Sequence, residues 1–400
     1  MQNHYNGAFM AESRTGFGRI KQGAVMNKKN ITILAVLTLF SLTFWGCQSS
    51  DVPQPFTPDS AQARLAKEAA EYGPRIHDPS ELQFENGFFM TFSTGKGIRS
   101  WYRDKNTGTW QLADILDKPE WWDEVFPDNK GYFWAPCVPF KWVMYYSFEA
   151  DEDYASAIGR AVATGTAPNL KWKDNGPVLV MPACRAEGVS CPVAIDPSVF
   201  TDDNGSLYMA FGSGTSGIWI VELDPETGHL TAEAAEGFSE DNDAFHHVAY
   251  RQLGEPRGDT DYIEAAYVYR HPTNGYYYLF VNWGQCCSGV DSTYLIRVGR
   301  SKSPTGPFLD KSGKDMVEEG GSLVIQTKGR YIGPGHASIY RHTDGRYAFS
   351  FHYYDGNSEG RARLAVRDLT WADDWPVVAE TDFFETWQKH NNVDVNGKYR

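Results

Sequence analysis

Residues able to donate or accept protons recur at one position of a repeated segment in this sequence. Each copy has a key residue, then a small residue or proline, then a short apolar stretch. The five key residues are Asp78, Ala135, Asp196, Glu264 and His336, and 57, 61, 68 and 72 residues separate them in turn. Such a repeat is typical of a propeller or solenoid, in which equivalent positions meet around one axis. Two Asp, one Glu and one His would then provide the acid and base that cleavage of a glycosidic bond requires.

The elements between these segments are short strands separated by tight turns. Four turns contain Asn-Gly or Asp-Gly pairs, which supply the positive φ angles of hairpins. They lie at Asn86-Gly87, Asn204-Gly205, Asn274-Gly275 and Asp344-Gly345. A repeat of about 60–70 residues fits a four-stranded blade with its loops. We therefore predict an all-β fold, a five-bladed β-propeller, with first strands that line the axis.

The chain divides into three predicted segments. Residues 1–46 read as a signal or targeting segment, because Lys28 and Lys29 precede an apolar run from Ile31 to Trp45. That run is shorter than the ~20 residues of a membrane-spanning helix. Residues 47–74 read as a polar, proline-rich tether followed by a short helix over Asp59–Tyr72. Residues 75–400 form the predicted propeller domain.

Gly46-Cys47 follows the apolar run, and a small residue before Cys at this place resembles a bacterial lipoprotein signal. We therefore predict lipid attachment at Cys47. The protein would then be exported and anchored as a lipoprotein in the periplasm, on the outer membrane or on the cell surface of a bacterium. An ordinary N-terminal membrane anchor is the alternative. Contact with the membrane is expected through the N-terminal lipid only.

The charge of the chain excludes polyanionic partners. The net charge is −14, and beyond residue 46 there are 32 basic and 50 acidic residues. Such a surface repels nucleic acid and acidic polysaccharides but tolerates a neutral one. Aromatic residues make up 14% of the chain, with 13 Trp, and flat apolar rings stack well on sugars, although most of these rings must serve the core. A closed propeller leaves no long edge strand to pair, so we expect a monomer.

The six cysteines leave several pairings open. Cys184 and Cys191 lie seven residues apart and could pair in an oxidising compartment. Cys286 and Cys287 are adjacent, and Cys137 lies in the second repeat. The sequence has no Cys-x-x-Cys, which disfavours a zinc ribbon.

Over about residues 72–380 the chain resembles the five-bladed glycoside hydrolases of family 43, and in particular their arabinanases (arabinan endo-1,5-α-L-arabinosidases). The motifs that carry the resemblance occur in one order and spacing. They are His77-Asp78-Pro79, Trp134-Ala135-Pro136, Ile195-Asp196-Pro197-Ser198, Ile263-Glu264-Ala265-Ala266-Tyr267, Cys286-Cys287, Ser292-Thr293-Tyr294, Val298 to Pro307, and Gly333-Pro334-Gly335-His336. The resemblance implies hydrolysis of a plant-type neutral polysaccharide or its oligosaccharides.

The resemblance also implies roles for individual residues. Asp78 corresponds to the general base that activates water, and Glu264 to the general acid that protonates the leaving oxygen. Asp196 corresponds to a third carboxylate that raises the pKa of the acid. His336 corresponds to the ligand of a channel ion, a calcium held largely through water. The family often has an acidic residue after Trp-Ala-Pro, where this chain has Cys137, so contacts of the second blade with sugar or ion are expected to differ.

The implied reaction inverts the anomeric carbon, which requires acid and base about 6.5–9.5 Å apart to admit a water molecule. A second carboxylate near the acid keeps it protonated by charge repulsion. From the residues alone, Asp78 can also be a turn residue before Pro79, and His336 a buried structural histidine. Trp101, Trp134 and Trp283 are candidate sugar platforms, with core packing as the alternative for each.

Two other functions remain open at this point. One is an exo-acting arabinofuranosidase, xylosidase or galactanase of the same family, since the sequence does not show whether the cleft is open at both ends. The other is a surface glycan-binding lipoprotein whose catalytic site has degenerated. The presence of all three carboxylates favours the enzyme.

Overall fold

The structure is a computed structural model that describes residues 58–125, 129–149, 156–182, 192–239, 241–252 and 262–390. The predicted targeting segment, Cys47 and most of the tether lie outside these residues, as do Cys184 and Cys191. The described chain begins with helix α1 (Pro58–Tyr72), one residue before the predicted start. Among the described residues, none of the helices is both long and apolar enough to cross a bilayer.

The first two sheets span residues 83–181. Sheet 1 contains β1 (Gln83–Glu85), β2 (Phe88–Ser93), β4 (Arg99–Asp104) and β5 (Trp110–Asp114). Sheet 2 contains β6 (Tyr132–Phe140), β7 (Val143–Glu149), β8 (Ser156–Thr164) and β9 (Lys171–Met181), and the short β3 (Gly95–Lys96) pairs with β6. A second helix, α2 (Trp121–Val125), lies between the two sheets in the sequence.

Three further sheets complete the set. Sheet 3 contains β10 (Ser198–Thr201), β11 (Leu207–Phe211), β12 (Ile218–Leu223) and β13 (Phe245–Ala249). Sheet 4 contains β14 (Ile263–Arg270), β15 (Tyr277–Trp283), β16 (Leu295–Ser301) and β17 (Ser322–Ile325). Sheet 5 contains β18 (Tyr331–Arg341), β19 (Tyr347–Asp355), β20 (Arg361–Ala372) and β21 (Trp375–Asp382), and helix α3 (Phe383–His390) follows it.

Within each sheet, consecutive strands pair antiparallel, and the five sheets are the blades of a β-propeller, which confirms the predicted fold. Single-turn 3₁₀ helices lie in the loops at Gly214–Ser216, Ala234–Glu236, Gly289–Asp291 and Met316–Glu318. The predicted turn between β1 and β2 has positive φ at both Asn86 and Gly87. These angles match the twist of the flanking strands and keep the hairpin tight.

The core consists of separate hydrophobic clusters between neighbouring sheets. One cluster joins sheets 1 and 2 around Phe92 and Phe148, and others join sheets 2 and 3, 3 and 4, and 4 and 5. Alternate side chains of each strand face opposite sides, so both faces of an inner strand are apolar. The sheets therefore hold one another in place through side-chain packing.

Helix α3 completes the contact between sheet 5 and sheet 1. Phe383, Phe384 and Trp387 are buried in a cluster with Phe89 of sheet 1 and Val366 of sheet 5. The indole of Trp387 meets the Phe89 ring edge to face, with centroids 5.2 Å apart. The ring of blades is thus closed by a helix and its aromatic side chains.

Helix α3 was not predicted, although local signals for it are present in the sequence. Asp382 caps the helix, because its Oδ1 accepts hydrogen bonds from the N–H groups of Phe384 and Glu385 at 2.8 and 3.1 Å. Lys389 and His390 lie in the last turn, where positive charge is favourable. The aromatic residues at spacings of one and four place one apolar face on the sheets.

We expect Trp387→Ala to lower the free energy of unfolding by about 3–5 kcal/mol, because it leaves a cavity at the contact between sheets 1 and 5. Chemical denaturation would measure this change. Lys389→Ala, an exposed position in the same helix, is the matched control and should change stability by less than about 0.5 kcal/mol. Equal stability of the two variants would contradict closure by α3.

Candidate active site

At the start of every sheet, the chain approaches the axis with one residue in left-handed conformation. These residues have φ between 41° and 59°, and they are Asp78, Ala135, Asp196, Ala265 and His336. The strand pairing skips two residues at the corresponding places in sheets 2, 4 and 5. A bulge of this kind leaves residues unpaired and redirects their side chains, which is why bulges are frequent beside active sites.

The structure corrects the alignment of the repeated segments at sheet 4. The repeat predicts Glu264 at the key position, but the left-handed residue of sheet 4 is Ala265. Glu264 pairs with Asn282 as Trp134 pairs with Ser147, so Glu264 is equivalent to Trp134 and to His77. The error arises because Ala265 and Ala266 are both small and allow either alignment.

Hydrogen bonds between neighbouring sheets form a closed ring at these left-handed residues. The N–H of each one donates to a side chain of the preceding sheet. The five bonds are Ala135 to Thr94 Oγ1 (3.0 Å), Asp196 to Ser147 Oγ (3.3 Å), Ala265 to Asp196 Oδ2 (2.9 Å), His336 to Asn282 Oδ1 (2.9 Å) and Asp78 to His352 Nδ1 (3.1 Å). We call this set of bonds the axial ring.

Sheet 3 departs from the pattern in a way that engages a carboxylate. Thr94, Ser147, Asn282 and His352 lie at one equivalent place on the second strands, where sheet 3 has Gly212. Gly212 has φ 131°, and a Cβ there would lie 2.4 Å from the carbonyl oxygen of Gly217. The acceptor for the Ala265 N–H is therefore Asp196 itself, and this bond fixes the orientation of its carboxylate.

All three predicted carboxylates line one cavity of about 500 Å³ that opens to solvent. Asp78 comes from the segment before the first strand of sheet 1, Asp196 from that of sheet 3, and Glu264 from the first strand of sheet 4. His77 and Trp134 also line the cavity. The repeat thus brings together residues up to 186 positions apart in the sequence.

Asp78 lies in a basic and strongly hydrogen-bonded environment. Its Oδ2 accepts a hydrogen bond from Thr94 Oγ1 at 2.6 Å and lies 2.7 Å from His77 Nδ1. The Nδ1 atoms of His352 and His336 lie 3.5 and 3.6 Å from its Oδ1. Burial opposes ionisation, but His77 and the two further imidazoles hold the pKa of Asp78 well below its usual range. Asp78 is therefore ionised at neutral pH.

His77 is the main partner of that carboxylate. Burial lowers the pKa of His77, but the charge and hydrogen bond of Asp78 outweigh it and raise the pKa to about 10. The His77 ring stacks on His352 with centroids 4.0 Å apart, and its Nε2 lies 2.6 Å from the Tyr354 hydroxyl. These contacts hold the imidazole in one orientation beside Asp78.

Glu264 has the opposite electrostatic setting. Its Oε2 accepts a hydrogen bond from Ser213 Oγ at 2.8 Å and its Oε1 one from the Tyr294 hydroxyl at 2.5 Å. Burial raises the pKa of Glu264, these two hydrogen bonds lower it in part, and the charge of Asp78 raises it again. The net shift is upward, so Glu264 keeps its proton to a higher pH than an exposed glutamate does.

Asp196 is buried and titrates together with Glu264. Burial comes first among the causes that raise the pKa of Asp196 well above its usual range, followed by the charges of Glu264 and Asp78. The hydrogen bond from the Ala265 N–H partly opposes this shift. Asp196 and Glu264 therefore compete for protons, and Asp78 alone of the three strongly favours the charged form.

His336 is buried next to Asp78 and does not line the cavity. Burial lowers its pKa more than the nearby Asp78 carboxylate raises it. A neutral imidazole can offer a lone pair to a cation. Calcium takes six to eight oxygen ligands, and the carboxylate described next to His336 is that of Asp78. This donor set fits only a calcium ion whose shell comes mainly from water.

The three candidate tryptophans have different surroundings. Trp134 lines the cavity. Trp101 is 0% exposed and packs in the cluster with Ala69 and Ile76, so its prediction as a sugar platform is wrong. The guanidinium carbons of Arg251 and Arg297 lie 4.2 and 4.0 Å from the centre of the Trp283 ring and occupy the surface that a sugar would need. Trp283 also lies outside the cavity lining, so that prediction is corrected too.

Cys137 does not take the place of an acidic residue in the cavity. Its side chain is buried in the core between sheets 2 and 3. The thiol donates to Glu81 Oε1 at 3.3 Å and accepts from the Val199 N–H at 3.4 Å. The expectation that Cys137 alters contacts with sugar or with the ion is therefore wrong.

Sequence reasoning missed the residues that set the charge of the three carboxylates. His77, His352 and Tyr354 surround Asp78, while Ser213 and Tyr294 hold Glu264. For His77, the position directly before Asp78 in a recurring motif was a usable signal. The others lie on second strands and in loops, where the pattern of a single sequence gives no indication of distance.

Comparison with known proteins gives consistent matches. The model of glycosyl hydrolases family 43 matches residues 74–376. Extracellular exo-α-(1→5)-L-arabinofuranosidase ArbA of Cellvibrio japonicus is 34% identical over 320 residues, 77% of this chain and 87% of that protein. Extracellular endo-α-(1→5)-L-arabinanase 1 of Bacillus subtilis is 33% identical over 321 residues, 77% of this chain and 90% of that protein. The family match includes strands of all five sheets.

A solved structure shows the same architecture. The Cellvibrio cellulosa α-L-arabinanase complexed with arabinohexaose superimposes with a TM-score of 0.64 at 31% identity. The superposition covers 76% of this chain and 96% of that chain.

Proposed function

Because this chain belongs to glycosyl hydrolase family 43 and is a glycosidase, we propose that it cleaves α-1,5-linked L-arabinofuranosyl bonds in arabinan and its oligosaccharides. The observation that carries the proposal is that Asp78 and Glu264, two carboxylates on different sheets, line one cavity in environments that shift their pKa values in opposite directions. Pairs of carboxylates with pKa values driven apart are the mark of an acid and a base. The relatives that act on arabinan support the choice of substrate.

In this proposal Asp78 is the general base. It is ionised, and Thr94 and His77 hold one of its oxygens, so the carboxylate has a fixed direction from which to take a proton from water. His77 is a positioning residue, because it contacts the Asp78 carboxylate and acts through it. The water then attacks the anomeric carbon from the face opposite the leaving group, which inverts its configuration.

Glu264 is the general acid that protonates the leaving oxygen. Its raised pKa lets it keep the proton to a higher pH than an exposed glutamate does, and Ser213 and Tyr294 fix the carboxyl group. Asp196 titrates together with Glu264, and repulsion between the two carboxylates delays the loss of the last proton that they share. The Ala265 N–H sets the orientation of the Asp196 carboxylate. Trp134 offers an aromatic surface at the cavity for a sugar ring.

We expect Glu264→Gln to lower turnover of linear α-1,5-arabinan by about 10²–10⁴-fold, because protonation of the leaving oxygen is lost while the shape of the cavity is kept. Product analysis by chromatography of wild type and variant would measure this. Glu226→Gln, a change at an exposed glutamate, is the matched control and should retain full turnover. Near-normal turnover of Glu264→Gln would remove Glu264 from the acid role.

The same product profile separates two modes of cleavage. We propose internal cleavage, for which wild type should release a ladder of oligosaccharides. Release of arabinose or one short product would instead establish action from the chain end. The observation that supports this alternative is the similarity to the exo-acting relative. Its 34% identity is no lower than the 33% of the endo-acting one.

We expect Tyr294→Phe to move the basic limb of the pH profile of kcat/KM to higher pH. The Tyr294 hydroxyl stabilises the ionised form of Glu264, so its loss raises the pKa of the acid further. Asp196→Asn should move the same limb to lower pH, because the Asp196–Glu264 pair then no longer holds its last proton through mutual repulsion. Tyr340→Phe, far along β18, is the control for Tyr294→Phe. Shifts of the same sign in Tyr294→Phe and Asp196→Asn would be incompatible with these roles.

We also propose that a calcium ion, held mainly through water, is bound next to His336. When bound, it would supply positive charge near the base and the substrate. Exhaustive chelation should lower activity and added Ca²⁺ should restore it, whereas His336→Ala should lose this response. Undiminished activity of the metal-free wild type, checked by elemental analysis, would argue against the ion.

Export with lipid attachment at Cys47 is the remaining part of the proposal. It is supported by the N-terminal sequence and by the relatives named extracellular. Cys47→Ser should abolish incorporation of labelled fatty acid and release the protein from the membrane fraction. Continued labelling of the variant would refute lipid attachment at this residue.

A further inference from the structure

Two adjacent cysteines and a histidine converge at the edge of the active-site cavity. Cys286 and Cys287 follow β15, and both side chains line the cavity together with His77. The ligand atoms of the three residues all lie within 4.8 Å of one another, and Cys287 Sγ is 3.8 Å from His77 Nε2. Tetrahedral zinc with Zn–S and Zn–N bonds of about 2.3 and 2.0 Å requires ligand atoms roughly 3.3–3.8 Å apart, so small side-chain rotations complete the site.

His77 already has the surroundings of a metal-binding histidine. Its Nδ1 lies 2.7 Å from Asp78 Oδ2, and a histidine that binds metal through one nitrogen usually donates a hydrogen bond from the other to a carboxylate. Stacking on His352 at 4.0 Å fixes the plane of the ring. The Tyr354 hydroxyl, 2.6 Å from Nε2, also accepts a hydrogen bond from the Cys287 N–H and can stay on that partner when an ion takes Nε2. Binding of the ion releases the Nε2 proton and the two thiol protons to solvent.

The donor set selects the class of ion. Two thiols and one imidazole suit zinc and softer transition-metal ions, whereas calcium and magnesium require oxygen ligands. Cys287 is exposed, and His77 and Cys286 are partly exposed, so an ion can enter from solvent. A second cluster of His77, Asp78 and His352 is less suitable, because His352 Nδ1 accepts the N–H of Asp78 in the axial ring.

We propose that His77, Cys286 and Cys287 form a binding site for a soft divalent transition-metal ion of the zinc class, with water as the fourth ligand. This ion is distinct from the calcium proposed next to His336. It occupies the cavity wall and binds the histidine that positions Asp78. Zinc binding therefore inhibits hydrolysis, and this consequence, unlike the site itself, rests on the proposed function.

The test is a titration of the full-length, reduced and metal-free protein with Zn²⁺ against a chromogenic chelator. Wild type should bind one ion at this site, and Cys286→Ser/Cys287→Ser should bind it at least about tenfold more weakly. Co²⁺ in place of Zn²⁺ should give thiolate-to-cobalt charge-transfer absorption in wild type and lose it in the double variant. Matched controls are Cys137→Ser, at a buried thiol, and Cys184→Ser/Cys191→Ser; both should bind like wild type.

Hydrolysis measured in the same titration gives an independent result. Wild type should lose activity with the midpoint at which it binds Zn²⁺, and the activity that remains in the double variant should resist zinc. Zinc bound equally by wild type and double variant would overturn the site. Zinc binding that leaves hydrolysis unchanged would overturn the inhibition. A protein that binds zinc but cleaves no arabinan supports the site and contradicts only the proposed function.

Discussion

Five backbone N–H groups beside the axis impose the constraint on which the site depends. Each of the five left-handed residues turns its N–H out of the strand ladder, and a buried N–H without a partner costs about 1–3 kcal/mol. Each sheet therefore supplies an acceptor to the next one, and the side chains of Thr94, Ser147, Asn282 and His352 are held in place for this purpose. Gly212 has no side chain that could accept such a bond, and the Asp196 carboxylate of the cavity accepts it instead.

The two sides of the cavity have opposite electrostatic environments, although the backbone geometry at the axis is the same on both sides. Asp78 is surrounded by imidazoles and a threonine hydroxyl, which favour its charged form. Glu264 is held by two hydroxyl groups, and its neighbour Asp196 is held by an N–H, with no cationic group in hydrogen-bonding contact described for either. The groups around Asp78 and Glu264 differ because they come from second strands and loops, whose side chains differ between sheets. The left-handed residues at the axis have similar backbone angles.

The sequence was sufficient for the fold and for the three carboxylates, because both depend on a periodic pattern of turns and key residues. The sequence was not sufficient for predictions that depend on which residues lie close together in the folded protein. The alignment of Glu264 was off by one residue because Ala265 and Ala266 are both small and the sequence does not show which residue is left-handed. Trp101 and Trp283 have sequence surroundings indistinguishable from those of a sugar-binding tryptophan, and only packing shows that one is in the core and the other under two arginines. Helix α3 was missed because its eight residues directly follow a strand in a chain dominated by strand patterns.

The axial ring can also close only after the last sheet of the chain has been synthesised. The bond that closes it joins the N–H of Asp78 to His352, which are 274 residues apart in the sequence. Closing so large a loop comes late, because distant pairings are entropically costly until intervening structure has formed. Until sheet 5 arrives, Asp78 lacks both its backbone partner and two of its three imidazoles. A growing chain that lacks sheet 5 therefore contains all three carboxylates before the full environment of Asp78 exists.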